Sequence, residues 1–187
     1  FNVMVDWMAL KNYGFSLDEN NLFALCRDIK DFEAKRSCFN ETAQKLDKPS
    51  QFSPVRLHEV MQREQIPQPF EQAVFAIGMA GMLQPLAGSG EGIDEFASEC
   101  ELLPGEYRTW CIRSVVGGLY EHGIPQEEYK APFAFCAKKQ SSEDASTCWD
   151  LATKRAVKFY GHDASVRLCE TIPEEYRGLC SELPLTE

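Results

Sequence analysis

The stretch from Cys100 to Cys111, CELLPGEYRTWC, is spoken again near the C-terminus as CETIPEEYRGLC, Cys169 to Cys180. Two cysteines, one proline and a Glu-Tyr-Arg triplet keep their places. A helix-length segment runs into the first cysteine. Pro104 or Pro173 then stands where a second helix is expected to begin, because proline's fixed φ and missing N–H suit the first helical position. At about 3.6 residues per turn the second cysteine falls two turns inside that helix. If the helices fold back antiparallel, the cysteines face each other, and the unit reads as a disulfide-stapled helical hairpin.

The other cysteines keep the same spacing. Cys26 to Cys38 and Cys136 to Cys148 each enclose 11 residues, and the two repeated stretches enclose 10. Eight cysteines permit 105 connectivities, but one segment narrows the choice. In SPVRLHEVMQREQIPQPFEQAVFAIGMAGMLQP, Arg63 falls at the first cysteine, Pro67 at the proline, Phe70 at the tyrosine and Val74 at the second cysteine, with Gly81 matching Gly118. Both cysteines are missing together, as pairing within a hairpin requires. The expected bonds are Cys26–Cys38, Cys100–Cys111, Cys136–Cys148 and Cys169–Cys180, each contributing about 2–3 kcal/mol in the chain-entropy account. An even, regularly spaced set without CxxC points to an oxidising compartment, periplasmic or secreted, rather than to zinc or a thioredoxin-type motif.

Positions 26, 63, 100, 136 and 169 are separated by 37, 37, 36 and 33 residues. Two helices per 33–37 residues is the signature of an α-solenoid. The predicted fold is therefore all-α: helical hairpins in about five and a half repeats, four of them carrying one disulfide each. The chain reads as a single repeat domain, with a half repeat at 1–14 and repeats at about 15–49, 53–86, 91–123, 124–161 and 162–187. The opening FNVMVDWMALKNYG carries an apolar helical stripe, Phe1, Met4, Val5, Trp7 and Met8, ending at Tyr13-Gly14. It resembles the second helix of a hairpin whose first helix is missing, so these residues are the candidate partner-binding surface. Ala87 to Gly92, AGSGEG, is expected to be a flexible connection. Ser141-Ser142 before Glu143-Asp144 forms a polar helix start in place of the proline.

The formal charge of −10 argues against nucleic acid as a partner. The longest apolar run, Val74 to Leu83, has 10 residues, too few to span a bilayer. In period, helix pairing and stapling the chain resembles the Sel1-like and tetratricopeptide class, in particular bacterial secreted cysteine-rich Sel1-type proteins. That resemblance implies a superhelix used for binding and carries no ligand residues over. The cysteine spacing is also similar to the twin-cysteine hairpins of the mitochondrial intermembrane space, the alternative location.

Residues that could carry chemistry are few. His58, His122 and His162 each stand beside an acidic residue; His122 and His162, near helix ends of successive repeats, are weak metal candidates, since zinc needs three or four convergent ligands. Helix C-termini, which favour a cationic imidazole, explain the same placement structurally. His58-Glu59 lacks the second histidine of HExxH, and no GxSxG occurs. Tyr107-Arg108 and Tyr176-Arg177 recur at one repeat position, which favours packing: tyrosine inward, arginine on a neighbouring carboxylate. Asn40-Glu41-Thr42 is a glycosylation sequon that also reads as a polar helix face. The sequence thus predicts a non-enzymatic extracytoplasmic protein-binding scaffold without a cofactor, meeting a protein partner or itself. The alternatives are a structural subunit of an extracellular or periplasmic assembly, and a metal or enzymatic site at a repeat interface.

Overall fold

The computed structural model describes residues 21–47, 50–89, 92–139 and 141–181, and within these every regular element is helical. They fall into two compact units divided between Gly81 and Met82.

The first unit contains α1 (Ala24–Arg27), α2 (Phe32–Ala43), α3 (Pro54–Arg63) and the first part of α4 (Gln68–Ser89). Helix α1 is only one turn long, and Leu25, expected on its apolar stripe, is 38% exposed. Helix α2 starts cleanly because the Asp31 carboxylate accepts the Ala34 N–H at 2.8 Å. Ser53 does the same for α3, accepting from Arg56 at 3.2 Å, with Pro54 in the first turn. The core is a run of rings: Phe23 stacks on Phe39 at 5.2 Å, and Phe39 on Phe70 at 4.8 Å. Offset stacks of this kind add about 1 kcal/mol each to the area they bury. Val74, aligned with the second cysteine, is fully buried like Cys111. Helices α3 and α4 meet closely at Gly78, where a Cβ would lie 3.0 Å from Leu57 Cδ1.

Helix α4 does not stop where a connection was expected; it continues through Pro85 to Ser89, so Ala87–Ser89 are helical. Pro85 cannot donate to the Gly81 carbonyl, yet one lost bond does not end a helix of 22 residues.

The second unit continues with α5 (Ile93–Ser98), a 3₁₀ turn at Glu99–Leu102, α6 (Gly105–Glu121), α7 (Lys130–Ala137), α8 (Ser142–Tyr160), α9 (His162–Cys169), a 3₁₀ turn at Glu174–Tyr176, and α10 (Gly178–Ser181). Helix α8 is central and packs against α6, α7 and α9. Ser141 caps it by accepting the Asp144 N–H at 3.3 Å, the polar start read in the sequence. Buried Tyr120 of α6 donates to the Ala152 carbonyl of α8 at 2.8 Å. Trp149 of α8 meets Phe133 edge-on at 5.3 Å and stacks on Tyr176 at 6.0 Å.

Pro104 sits one position outside its helix rather than at the first helical residue: it is extended, with ψ 148°, and α6 begins at Gly105. Gly105 has φ +49°, which a side chain would strain, so the turn uses proline to straighten Leu103 (ψ 144°) and glycine to enter the helix. Pro173 likewise precedes a 3₁₀ turn, with ψ 141°.

Candidate functional site

Three disulfides join consecutive helical segments: Cys26–Cys38, Cys100–Cys111 and Cys136–Cys148, with Cα atoms 5.4–5.5 Å apart. In each, the second cysteine belongs to the longer helix and the first lies in the last turn of the shorter one or follows it. Cys169 is also disulfide-bonded; the side chain of Cys180 lies outside the described residues.

Behind two of the turns sits a second fastening, built from the Glu-Tyr-Arg motif. Arg108 donates through Nε to the Leu103 carbonyl at 3.3 Å and through Nη2 to the Glu101 carbonyl at 2.6 Å. Arg177 makes the same two bonds in the second copy of the motif, to Ile172 at 3.3 Å and Glu170 at 3.2 Å. A guanidinium suits this because its planar fork presents two parallel donors. The carbonyls it reaches lie in the last turn of the short helical segment or just past it, where no intrahelical donor remains. Arg108 also approaches Asp144 at 3.6 Å, the neighbouring carboxylate expected from the sequence. Its principal role is nonetheless within its own turn. Tyr107 packs on Trp110 at 4.8 Å, and Tyr176 on Trp149.

Charge pairs tie 93–123 to 124–161. Lys138 reaches Asp94 at 2.7 Å, Lys139 reaches Glu101 at 3.1 Å, and Arg155 reaches Glu121 at 3.3 Å, alongside Arg108–Asp144. Most are exposed and worth a few tenths of a kcal/mol to about 1 kcal/mol. Lys139 differs: its side chain is 3% exposed and its ammonium lies 4.2 Å from the Phe135 ring centre. Phe135 also lines a depression of about 140 Å³ with Ile93, Asp94, Ala97, Leu119, Ala131 and Ala134.

In the first unit the corresponding pair is Arg27 and Glu64, each one residue past its repeat's first-cysteine position. The Glu64 carboxylate is fully buried; its Oε2 accepts from the Phe23 N–H at 3.4 Å and from Arg27 at 3.2 Å. Sequence reasoning missed both this pair and the Lys138-Lys139 contacts. The available signal was the recurrence of charge at one repeat position, Arg27, Glu64, Glu101 and Glu170.

The histidines come out differently from one another. His122 is the C-cap of α6, its N–H on the Gly118 carbonyl at 3.0 Å. His162 is the first residue of α9, not the last of a helix. Gly161 alone separates α8 from α9, so His122 stands at a helix C-terminus and His162 at a helix N-terminus. Its Nδ1 lies 3.6 Å from Asp163. Partial burial holds the His58 imidazole below its ordinary range, against the pull of Glu59 and Glu71. Among the described residues no group of three or more histidine, cysteine, aspartate or glutamate side chains converges as metal ligands.

The phenols are equally fixed. Burial pushes Tyr120 far above the usual range. Tyr160 is raised to about 12 by burial and by its bond to Glu128, whose carboxyl that same bond holds low. Both hydroxyls bridge segments, Tyr120 donating to the Ala152 carbonyl and Tyr160 accepting from the Tyr129 N–H at 3.2 Å. Within the sequon Glu41 is exposed and Asn40 half-buried, whereas Thr42 is 3% exposed and its hydroxyl lies 3.6 Å from Cys26 Sγ. Phe1, Met4, Val5, Trp7 and Met8 lie outside the described residues. No helix among those described is long and apolar enough to cross a membrane.

No protein-family profile, curated protein or solved structure matches the chain.

Proposed function

We propose that the chain is a non-enzymatic, extracytoplasmic protein-binding scaffold. On this reading it is an α-solenoid of disulfide-stapled hairpins, akin in architecture to the Sel1-like and tetratricopeptide class. The observation that carries the proposal is the recurrence of one fastening: a disulfide between consecutive helical segments at sequence separations of 11 or 12, with the Arg108 fork behind one of them and the Arg177 fork repeated in the turn after Cys169. Repeating one rigid unit is how solenoids build extended binding surfaces. Disulfides of this density favour a periplasmic or secreted setting. The binding surface is assigned to the apolar stripe Phe1, Met4, Trp7 and Met8, because contiguous apolar side chains of that kind usually mark an interface.

The test replaces Met4 and Trp7 together with serine and measures mass by light scattering and helicity by circular dichroism. Loss of a self-associated mass, or of a complex isolated from the native compartment, with helicity intact supports the reading. A fall in stability with the mass unchanged overturns it.

A further inference from the structure

Among the described cysteine side chains, six are buried: Cys26, Cys100, Cys111, Cys136, Cys148 and Cys169, at 7% exposure or less. Cys38 alone is half-buried. It stands on α2, and its partner Cys26 lies on the one-turn helix α1, fully inside. One further contact singles this bond out. A disulfide sulfur carries no proton, so the 3.6 Å contact between Thr42 Oγ1 and Cys26 Sγ is a hydroxyl donating to sulfur. Thr42 is itself buried, and the hydroxyl is held there by the helix that carries Cys38.

These features define the two ends of a thiol–disulfide exchange. Attack is favoured at the cysteine that is less buried, here Cys38, and the departing sulfur leaves faster when its negative charge is stabilised. We propose that Cys26–Cys38 is a site of redox modification: a small thiol enters at Cys38, and Cys26 leaves as a thiolate stabilised by the Thr42 hydroxyl. The incoming thiolate forms a bond to Cys38 Sγ as the Cys26–Cys38 bond breaks, and the Cys26 thiolate then takes a proton from water. A second thiolate attacks the incoming group's sulfur, releasing the small-molecule disulfide and Cys38 as a thiolate. Two thiols are oxidised to one disulfide and two cysteines are reduced. Cys100–Cys111 and Cys136–Cys148 have both sulfurs buried, so their exchange waits on opening of the hairpin. Reduction at Cys26–Cys38 leaves α1 held by the Phe23–Phe39 stack and the Arg27–Glu64 pair.

The experiment exposes the native chain to reduced glutathione, quenches with N-ethylmaleimide at intervals and maps the labelled and glutathionylated peptides. Cys26 and Cys38 are expected to open before Cys100, Cys111, Cys136 and Cys148, with glutathione trapped on Cys38. Thr42→Val is expected to slow this opening about fivefold, the effect of one ordinary hydrogen bond, and Thr42→Ser to restore it. A merely structural threonine would act the other way, since loosening the hairpin speeds reduction. The proposal is overturned if the three bonds open together, if glutathione is found on Cys26, or if Thr42→Val leaves the rate unchanged or raises it.

Discussion

Arg27 grips Glu64 twice with a single nitrogen, Nη2 donating both to the Glu64 carbonyl and, at 3.2 Å, to its carboxylate. The carboxylate is fully buried while the guanidinium is 38% exposed, so the arginine supplies the positive charge from the rim. Removing it leaves a buried anion with less compensation. Arg27→Met is expected to cost about 2–3 kcal/mol in urea unfolding, less than a fully buried pair because of that exposure. Arg27→Met with Glu64→Gln should recover a good part of the loss. Additive losses in the double variant would show that the two side chains are not coupled.

The Arg108 fork should resist replacement by lysine, which cannot donate along two parallel directions. Arg108→Lys and Arg108→Met are both expected to lower stability by about 1–2 kcal/mol, the worth of one or two hydrogen bonds. Arg177→Met should cost less, because its Glu170 bond is exposed and longer. Full rescue by lysine would mean that charge matters there rather than the fork.

Replacing Cys100 by alanine and Cys111 by valine copies the packing seen at Val74. Stability should fall by about 2–3 kcal/mol, the chain-entropy worth of a ring this size. Far-ultraviolet circular dichroism should keep its helical shape, because Val74 fills the equivalent position with no staple. Loss of helicity would show that the bond is required for folding.

Two glycines on α4 should respond with opposite signs. At Gly78 a methyl group would crowd fully buried Leu57, and Gly78→Ala is expected to destabilise by about 1 kcal/mol net of the gain in helix propensity. At Gly81 nothing lies within 4 Å, so Gly81→Ala should stabilise by about 0.5–1 kcal/mol. Thermal unfolding of both variants decides it.

His58 gives the chain a signed dependence on pH. Its folded-state affinity for a proton is below that of the unfolded chain, whose ordinary value is 6.5. The unfolded state therefore binds more protons in this window, and stability rises with pH. The contribution is fully present above 6.5 and declines as pH falls through that value toward the lower folded one. His58→Gln should flatten this part of the stability curve measured between pH 5 and 8. An unchanged slope would place its origin elsewhere.

Much of the hairpin chemistry was written in the sequence. Spacing alone brought Cys100 to Cys111, equated Val74 with a buried cysteine and marked Ser141 as a cap. What spacing could not tell was which neighbour fills the space around a residue. Gly81 and Gly118 align, yet a Cβ at Gly118 would meet Leu83 at 3.1 Å while one at Gly81 meets open space. Leu25 keeps the helical apolar period but sits on a helix too short to bury it. Ala87 was expected in a flexible connection, but α4 runs on through Pro85 to Ser89, because a long helix absorbs one missing donor. The buried Glu64 was hidden because a single glutamate in a charged segment looks like solvent-facing surface. His162 followed an apparent helix end, and only the one-residue joint at Gly161 shows that it opens the next.

Each observed ring closes over a sequence separation of only 11 or 12. Such short loops close in well under a microsecond, and no ring has to wait for a distant segment to be made. A chain synthesised from its N-terminus can therefore lock one hairpin while the next is still unmade. Wrong pairings are disfavoured by proximity as well as by geometry, because each observed bond joins the two cysteines nearest in sequence, and longer loops cost more entropy to close. The regular spacing thus also keeps oxidative assembly local.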